Sequence, residues 1–112
     1  MKVSELCKAA GFTLVTDKQD NDREIGGVYA CDLLSWVIGR AAQDAVLVTV
    51  MTNVNVIAVA VMADLSCVVL CEGVSLDSAA LQKANENGVA VLSSDKPVYE
   101  TCLLINKVMC NK

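Results

Sequence analysis

Polar side chains that could bind a small ligand interrupt the longest uncharged run of this sequence, AVLVTVMTNVNVIAVAVMA at positions 45–63. Their hydroxyl and amide groups can donate and accept hydrogen bonds. Polar turns between a strand and a helix lie at the carboxyl edge of a sheet, where open α/β proteins place ligand sites. We therefore predict a ligand site formed by Thr49, Thr52, Asn53, Asn55, Glu72 and Gly73. An earlier junction supplies a secondary candidate, formed by Tyr29, Asp32 and Ser35.

The same residues also have a purely structural interpretation. Asn53 and Asp32 are residue types that cap helices, because their side-chain oxygens accept bonds from the first free N–H groups. Those N–H groups and the helix dipole also favour an anion. Helices are expected to follow strand ends at Asn53, near Ser75 and at 94–97. Both interpretations stay open, and a small anionic ligand is the class that such a site would take.

Several kinds of chemistry lack the residues that they need. The chain has no His, which excludes nucleophilic catalysis by a Cys–His or Ser–His pair. Neither a phosphate loop nor a GxGxxG motif occurs. On an extended strand Cys67 and Cys71 would be about 13 Å apart, too far to share one metal ion. We expect no catalytic residues, no metal and no cofactor, and six cysteines that pack as reduced apolar side chains.

Composition limits the domain organisation and the partners. A chain of 112 residues, 54% of them hydrophobic, is expected to form one domain, 1–112, with its own core. The net charge is −4 and no basic residue lies between Arg40 and Lys83, which argues against nucleic-acid and membrane partners. The run at 45–63 is long enough to span a membrane, but its central Thr and Asn residues argue against that. The first residues lack a signal-peptide core, which favours a cytoplasmic location.

Hydrophobic patterns predict the elements that position these residues. Three apolar runs without alternation, 46–50, 67–71 and 89–92, are typical of strands buried on both faces of a parallel sheet. Shorter strands are predicted at 12–15 and 24–29, and helices at 3–10, 33–40, 54–63, 77–87 and from Pro97 onward. The order αββαβαβαβα predicts an α/β fold. It is a three-layer α/β/α sandwich around a mixed, mainly parallel five-stranded sheet.

The predicted helix at 54–63 is apolar on all sides and must be covered on more than one. One face carries Val54, Ile57, Ala58, Val61 and Met62, and the other carries Val56, Val59, Ala60 and Ala63. The helix at 33–40 is one candidate for the second cover, and a neighbouring subunit is the other. We favour the subunit and predict a homodimer, or a larger closed assembly, with Val59 on the outer face of the helix.

Three segments closely resemble small stand-alone proteins of the DRTGG-domain family: YACDLLSWVIGRA, TVMTNVNVIAVAVMADLSCVVLCEGVSLD and KANENGVAVLSSDKPVYETC. The similarity runs from about Glu24 to Lys107. It implies a fold related to the N-terminal domain of HPr kinase/phosphorylase. In larger family members this domain accompanies cystathionine-β-synthase-type (CBS) nucleotide-sensing domains or phosphotransacetylase. Stand-alone members look like accessory proteins of anaerobes, often encoded beside iron-hydrogenase subunits or a serine-kinase-like sensor.

The resemblance implies a function but supplies no catalytic residues, because none is established for the family. It implies a non-catalytic regulatory or partner-binding module, with a protein partner in a redox or kinase system. A sensor that binds a nucleotide or metabolite at the strand–helix turns is the alternative. The turns at 52–55 and 71–73 carry no basic residue, which weakens phosphate binding there.

Overall fold

The computed structural model describes residues 1–17 and 22–111, and these form one five-stranded sheet with five helices. The strands are β1 (Thr13–Leu14), β2 (Gly27–Ala30), β3 (Ala45–Thr49), β4 (Cys67–Leu70) and β5 (Val91–Ser93). The helices are α1 (Val3–Ala10), α2 (Leu34–Arg40), α3 (Val54–Met62), α4 (Ser78–Asn87) and α5 (Val98–Cys110). The strand order is β1-β5-β4-β3-β2, with β1 antiparallel to β5 and the other pairs parallel. The predicted element order and mixed sheet are confirmed.

Helices cover both faces of the sheet, so the predicted three-layer arrangement is confirmed. The parallel strands β2 to β5 are neighbours in chain order, and right-handed crossovers place the helices between them on one face. A buried cluster joins α2, α3 and α4 to Leu47 and Val68. A second cluster joins α1 and α5 to Val46 and Val69 on the opposite face. Every residue of β3 and β4 is buried, as expected for strands covered on both sides.

The strand β2 begins later than the predicted 24–29. Glu24 instead forms an isolated bridge with Lys2, and the Ile25 N–H donates to the Met1 carbonyl at 2.9 Å. Gly26 donates its N–H to the Asp44 carbonyl at 2.8 Å. A Cβ at Gly26 would lie 3.2 Å from the Asp44 Cβ, so the backbones approach closely here and glycine fits the position. The ladder with β3 starts at residue 27 because the preceding residues bond to these other segments.

Arg23 fixes the amino edge of the sheet. Its guanidinium donates to the Leu65 carbonyl and the Asp64 carboxylate, both at 2.9 Å, and also bonds the Asp44 carboxylate. Both aspartates have left-handed backbones, with φ of 66° at Asp44 and 55° at Asp64. Burial acts to lower the pKa of Arg23, but the two aspartates outweigh burial and raise it. The segment before β2 is therefore tied to the loops before β3 and β4.

The helix α3 buries a different face from the predicted one. Val56, Ile57, Val59 and Ala60 are buried, whereas Val54, Ala58, Val61 and Met62 are exposed. Val59 was predicted on the outer face and is only 5% exposed, so that assignment is wrong. The reason is that α3 is the middle helix of its layer, with α2 on one side, α4 on the other and the sheet beneath. Only a narrow stripe of α3 is left exposed.

Within the described part of the chain, no helix is both long and apolar enough to cross a membrane.

Candidate functional site at the carboxyl edge of the sheet

The predicted change from strand to polar turn to helix occurs within the uncharged run. The strand β3 ends at Thr49, and α3 begins at Val54. Asn53 caps α3 as predicted, because its Oδ1 accepts the Asn55 N–H at 3.0 Å. The turn therefore lies at the carboxyl edge of the sheet, beside the loops that follow β2, β4 and β5.

The Asp32 carboxylate joins the loop after β2 to the loop after β3. Its Oδ1 accepts the Thr49 hydroxyl at 2.7 Å and the Val50 N–H at 3.0 Å. The Thr49 hydroxyl oxygen also accepts the Met51 N–H, at 3.2 Å. Asp32 was predicted to cap α2, but the N-cap position belongs to Leu33 and has no side-chain cap bond. The capping prediction is wrong because the carboxylate finds better donors in the neighbouring loop.

Thr52 and Asp77 join the loop after β3 to the loop after β4. The Thr52 hydroxyl donates to Asp77 Oδ1 at 3.3 Å, and the Asp77 N–H donates to the Thr52 carbonyl at 3.0 Å. Sequence analysis missed Asp77 as a member of this group. The residue stands just before α4, where an aspartate is expected to cap a helix, yet it makes no cap bond.

Glu72 and Gly73 join the loop after β4 to the loop after β5. Their φ angles are 63° and 66°, and their N–H groups donate to the Lys96 carbonyl at 2.9 Å and the Ser94 carbonyl at 3.0 Å. Below them, the buried Ser94 and Thr101 hydroxyls lie 2.9 Å apart. The chain leaves β4 towards α4 on one face and β5 towards α5 on the other, and such a switch point normally opens a ligand crevice. Here the backbone bonds close it.

The secondary candidate residues do not come together as a group. Tyr29 is half-buried and packs against the cluster beneath α2, α3 and α4. Ser35 is exposed on α2. Asp32 is bonded to the β3 loop instead, and within the described ranges no hydrogen bond connects it to Tyr29 or Ser35.

The carboxyl edge of the sheet is acidic. Its four loops carry four carboxylates and one basic residue: Asp32, Glu72, Asp77, Asp95 and Lys96. A cavity of about 540 Å³ lies beside α1, and another of about 400 Å³ lies between α3 and α4. Asn55 lines the smaller one, and no other residue of the predicted site lines either. The edge is therefore a continuous, hydrogen-bonded surface, and the ligand-site prediction for its residues stays a prediction.

Two cysteines of the sheet are placed as the strand assignment predicted. Cys67 begins β4, Cys71 directly follows it, and both are buried. Burial raises the pKa of Cys67 to about 12 and also raises that of Cys71. Both thiols therefore stay protonated at neutral pH and pack as apolar groups. Across residues 1–17 and 22–111, no three metal-ligating side chains converge.

Comparison with known proteins identifies the family. A comparison with curated proteins finds no match. The fold resembles the crystal structure of the CBS and DRTGG domains of the regulatory region of Clostridium perfringens pyrophosphatase, complexed with its activator diadenosine tetraphosphate, with a TM-score of 0.74 and 9% identity. The match covers 92% of this chain and 45% of that one, so this chain spans less than half its length. The family model of the DRTGG domain matches residues 5–108. This chain therefore belongs to the DRTGG domain family.

Proposed function

We propose that the chain is a non-catalytic regulatory module that acts by binding a partner protein. The match to the DRTGG domain over residues 5–108 carries the proposal, since a structure with the same fold belongs to the regulatory region of an enzyme. The carboxyl edge supports it. Its loops are joined by hydrogen bonds, which gives a preorganised surface for a partner.

The charge of that edge indicates the kind of partner. Four carboxylates against one lysine favour a partner with a basic surface, because complementary charge speeds association and sets the orientation. The resemblance to stand-alone DRTGG proteins suggests a component of a redox or kinase system. An anionic ligand at the α3 N-terminus would instead meet Asp32 and Asp77, whose carboxylates are bonded to the loop before α3.

The exposed stripe of α3 is the surface that we assign to a second copy of the chain. Val54, Ala58, Val61 and Met62 are apolar and exposed, and Met62 is 67% exposed. A two-fold axis along this stripe would cover it in both copies. An assembly of this kind agrees with a composition that is 54% hydrophobic in a small chain.

Light scattering tests the dimer. The wild-type chain of 11.9 kDa should give a mass of about 24 kDa, twice the chain mass, at micromolar concentration. Met62→Glu should reduce the mass to that of one chain while the circular dichroism spectrum is retained. Asn106→Glu, which places the same charge on α5 across the sheet, is the matched control and should remain dimeric. A wild-type mass near that of one chain would contradict the dimer.

A small-molecule sensor is the second candidate function. It is favoured by the capped N-terminus of α3 and by the nucleotide in the related pyrophosphatase complex. Thermal denaturation with diadenosine tetraphosphate and mononucleotides separates the two functions. Partner binding without a nucleotide site predicts no change in melting temperature.

A nucleotide site at the turns predicts a clear shift in the same experiment. At 100 times the dissociation constant a ligand stabilises by about 2.7 kcal/mol, which corresponds to roughly 10 °C or more in a domain of this size. Asn53→Asp with Asn55→Asp should keep the helix start but repel an anion, and Asn106→Asp serves as the control. A shift that this double variant abolishes and the control retains would replace the partner-binding proposal by a sensor.

A further inference from the structure

A groove between α1 and the β1–β5 side of the sheet is the larger of the two cavities described above. Its volume of about 540 Å³ lies within the usual range for small-molecule sites, roughly 300–1,000 Å³. The walls are mainly apolar and include Val3, Cys7, Phe12, Leu14, Ala90 and Leu92. The groove exists because α1 and α5 alone cover this face, whereas three helices cover the other.

One polar group in the groove has no proper partner. Ser66 lines the groove and is 3% exposed, and its hydroxyl makes no hydrogen bond with the described residues. The adjacent Cys67 thiol is only a weak partner. Burial raises the pKa of Cys67, and the Ser66 hydroxyl lowers it by a smaller amount. Buried hydroxyls almost always have a partner, so an unpaired one in a cavity wall indicates a group that arrives from outside.

Two of the three charged groups that line the groove are bonded to other described residues. The Asp22 carboxylate accepts the Ser4 N–H at 3.0 Å and bonds the Ser4 hydroxyl. The Arg23 guanidinium is bonded to Asp44, Asp64 and Leu65. Lys8 is exposed on the last turn of α1. A ligand whose charge pairs with Asp22 or Arg23 would have to displace these bonds, whereas an uncharged one needs only the apolar walls and the Ser66 hydroxyl.

We propose that this groove binds a small, uncharged, mainly apolar molecule that carries one hydroxyl or carbonyl group, with Ser66 as the hydrogen-bond partner of that group. The site lies towards the amino ends of the strands, away from the carboxyl edge. It is therefore independent of the function proposed for that edge.

Amide chemical shifts of the full chain, measured during titration with 4-methylphenol, test the site. Saturable shifts should occur at Cys7, Ala90 and Leu92 and not at Asn55. Leu14→Trp should fill the exposed mouth and weaken binding at least about tenfold. Thr13→Trp changes the other residue of β1, whose side chain points to the opposite side of the strand. Its affinity for 4-methylphenol should stay within about twofold of wild type. Equal effects of the two variants, or shifts that avoid the groove, would overturn the proposal.

The role of Ser66 has its own test, which does not depend on the tryptophan variants. The wild-type chain should bind 4-methylphenol with about fivefold higher affinity than toluene, because one additional hydrogen bond has about that effect. Ser66→Ala should abolish this preference without lowering the melting temperature, because it removes an unpaired buried hydroxyl. A preference that survives Ser66→Ala would remove Ser66 from the site. Tighter binding of 4-methylbenzoate, lost in Lys8→Gln, would overturn the uncharged ligand class.

Discussion

Arg23 holds two aspartates in a backbone conformation that residues with a Cβ seldom adopt. Asp44 and Asp64 both have positive φ, and aspartate is among the few residue types that tolerate it. The guanidinium neutralises both carboxylates and also donates to the carbonyls of Asp64 and Leu65. The sequence gives no sign of this network, because its three charged residues are far apart in the chain and each would be normal on a surface.

Arg23→Met should therefore destabilise the protein by roughly 2 kcal/mol. It removes the Arg23 donor from the Asp44 carboxylate and the Leu65 carbonyl at a half-buried position, while the Asp64 carboxylate keeps the Gln43 amide and the Asp64 carbonyl keeps the Asp44 N–H. Lys2→Met, which removes an exposed lysine whose Nζ lies 3.8 Å from the Glu24 carboxylate, should change stability by less than about 0.5 kcal/mol. Urea denaturation of both variants measures the difference. Equal stabilities of the two would contradict the role assigned to Arg23.

The cysteines should differ strongly in reactivity. With a pKa of about 12, Cys67 has a thiolate fraction of about 10⁻⁴ at pH 8 and no exposed surface, whereas Cys110 is exposed. Iodoacetamide under native conditions should modify Cys110 first and leave Cys67 and Cys71 unmodified, as read by mass spectrometry of peptides. All six should react in urea. Modification of Cys67 as fast as Cys110 in the folded protein would show that β4 is not buried as described.

At the scale of elements, α3 shows what an apolar pattern can and cannot predict. Its existence, its start at Val54 and its Asn53 cap were predictable, because a polar turn precedes a long apolar run. Its orientation was not predictable. When nearly every position is apolar, the pattern does not distinguish the covered side from the exposed one. The flanking helices α2 and α4 decide it, since they cover Val59 and leave Val61 exposed.

Two variants of α3 separate the observed orientation from the predicted one. Val59→Glu places a carboxylate among buried side chains and should cost more than about 3 kcal/mol or prevent folding. Val61→Glu lies on the stripe that is exposed in a single chain, where Val61 is 50% exposed, and should leave the fold of each chain intact. Thermal melts followed by circular dichroism measure both. A folded Val59→Glu beside an unfolded Val61→Glu would reverse the assignment.

The bonds of Asp32 to the loop after β3 can be tested at single amides. Asp32→Ala removes the acceptor of the Val50 N–H and the Thr49 hydroxyl and should cost about 1 to 2 kcal/mol. Hydrogen exchange should accelerate at the Val50 amide, whereas a helix cap at Asp32 would have protected an amide of the first turn of α2, that of Ser35. Asp95→Ala, on an exposed loop carboxylate, is the control. Faster exchange at Ser35 with no change at Val50 would restore the capping interpretation.

For the whole molecule, the sheet and its layers were predictable from sequence, whereas the contacts at its carboxyl edge were not. The runs of β3 and β4 are so uniformly apolar that only strands covered on both faces fit them. Which loops meet at the edge depends on strand order and on side chains such as Asp32 and Asp77, whose local sequence is that of a helix cap. The closure between Gly73 and Ser94 depends on positive φ angles that the sequence only partly indicates.

Local stability should be higher at the centre of the sheet than at its β1 edge. The Val68 amide in β4 donates to the Ala90 carbonyl at the centre of the sheet and should exchange only through global unfolding. The Val15 amide donates to the Val91 carbonyl beside the two-residue strand β1 and should exchange through local opening. Native-state exchange at increasing urea measures both. Equal opening free energies for the two amides would show that the sheet unfolds as one unit.

During synthesis β1 is made long before β5, the strand with which it pairs. The strands β2 to β5 can each join the one made just before, but Thr13 pairs with Ser93, about 80 residues later. At ~5–20 residues per second, a ribosome needs on the order of 4 to 16 s to make the intervening chain. Throughout that time α1 lacks α5 and β1 lacks β5, its neighbour in the described sheet. The segment with α1 and β1 is therefore synthesised well before the strand and the helix that it packs against.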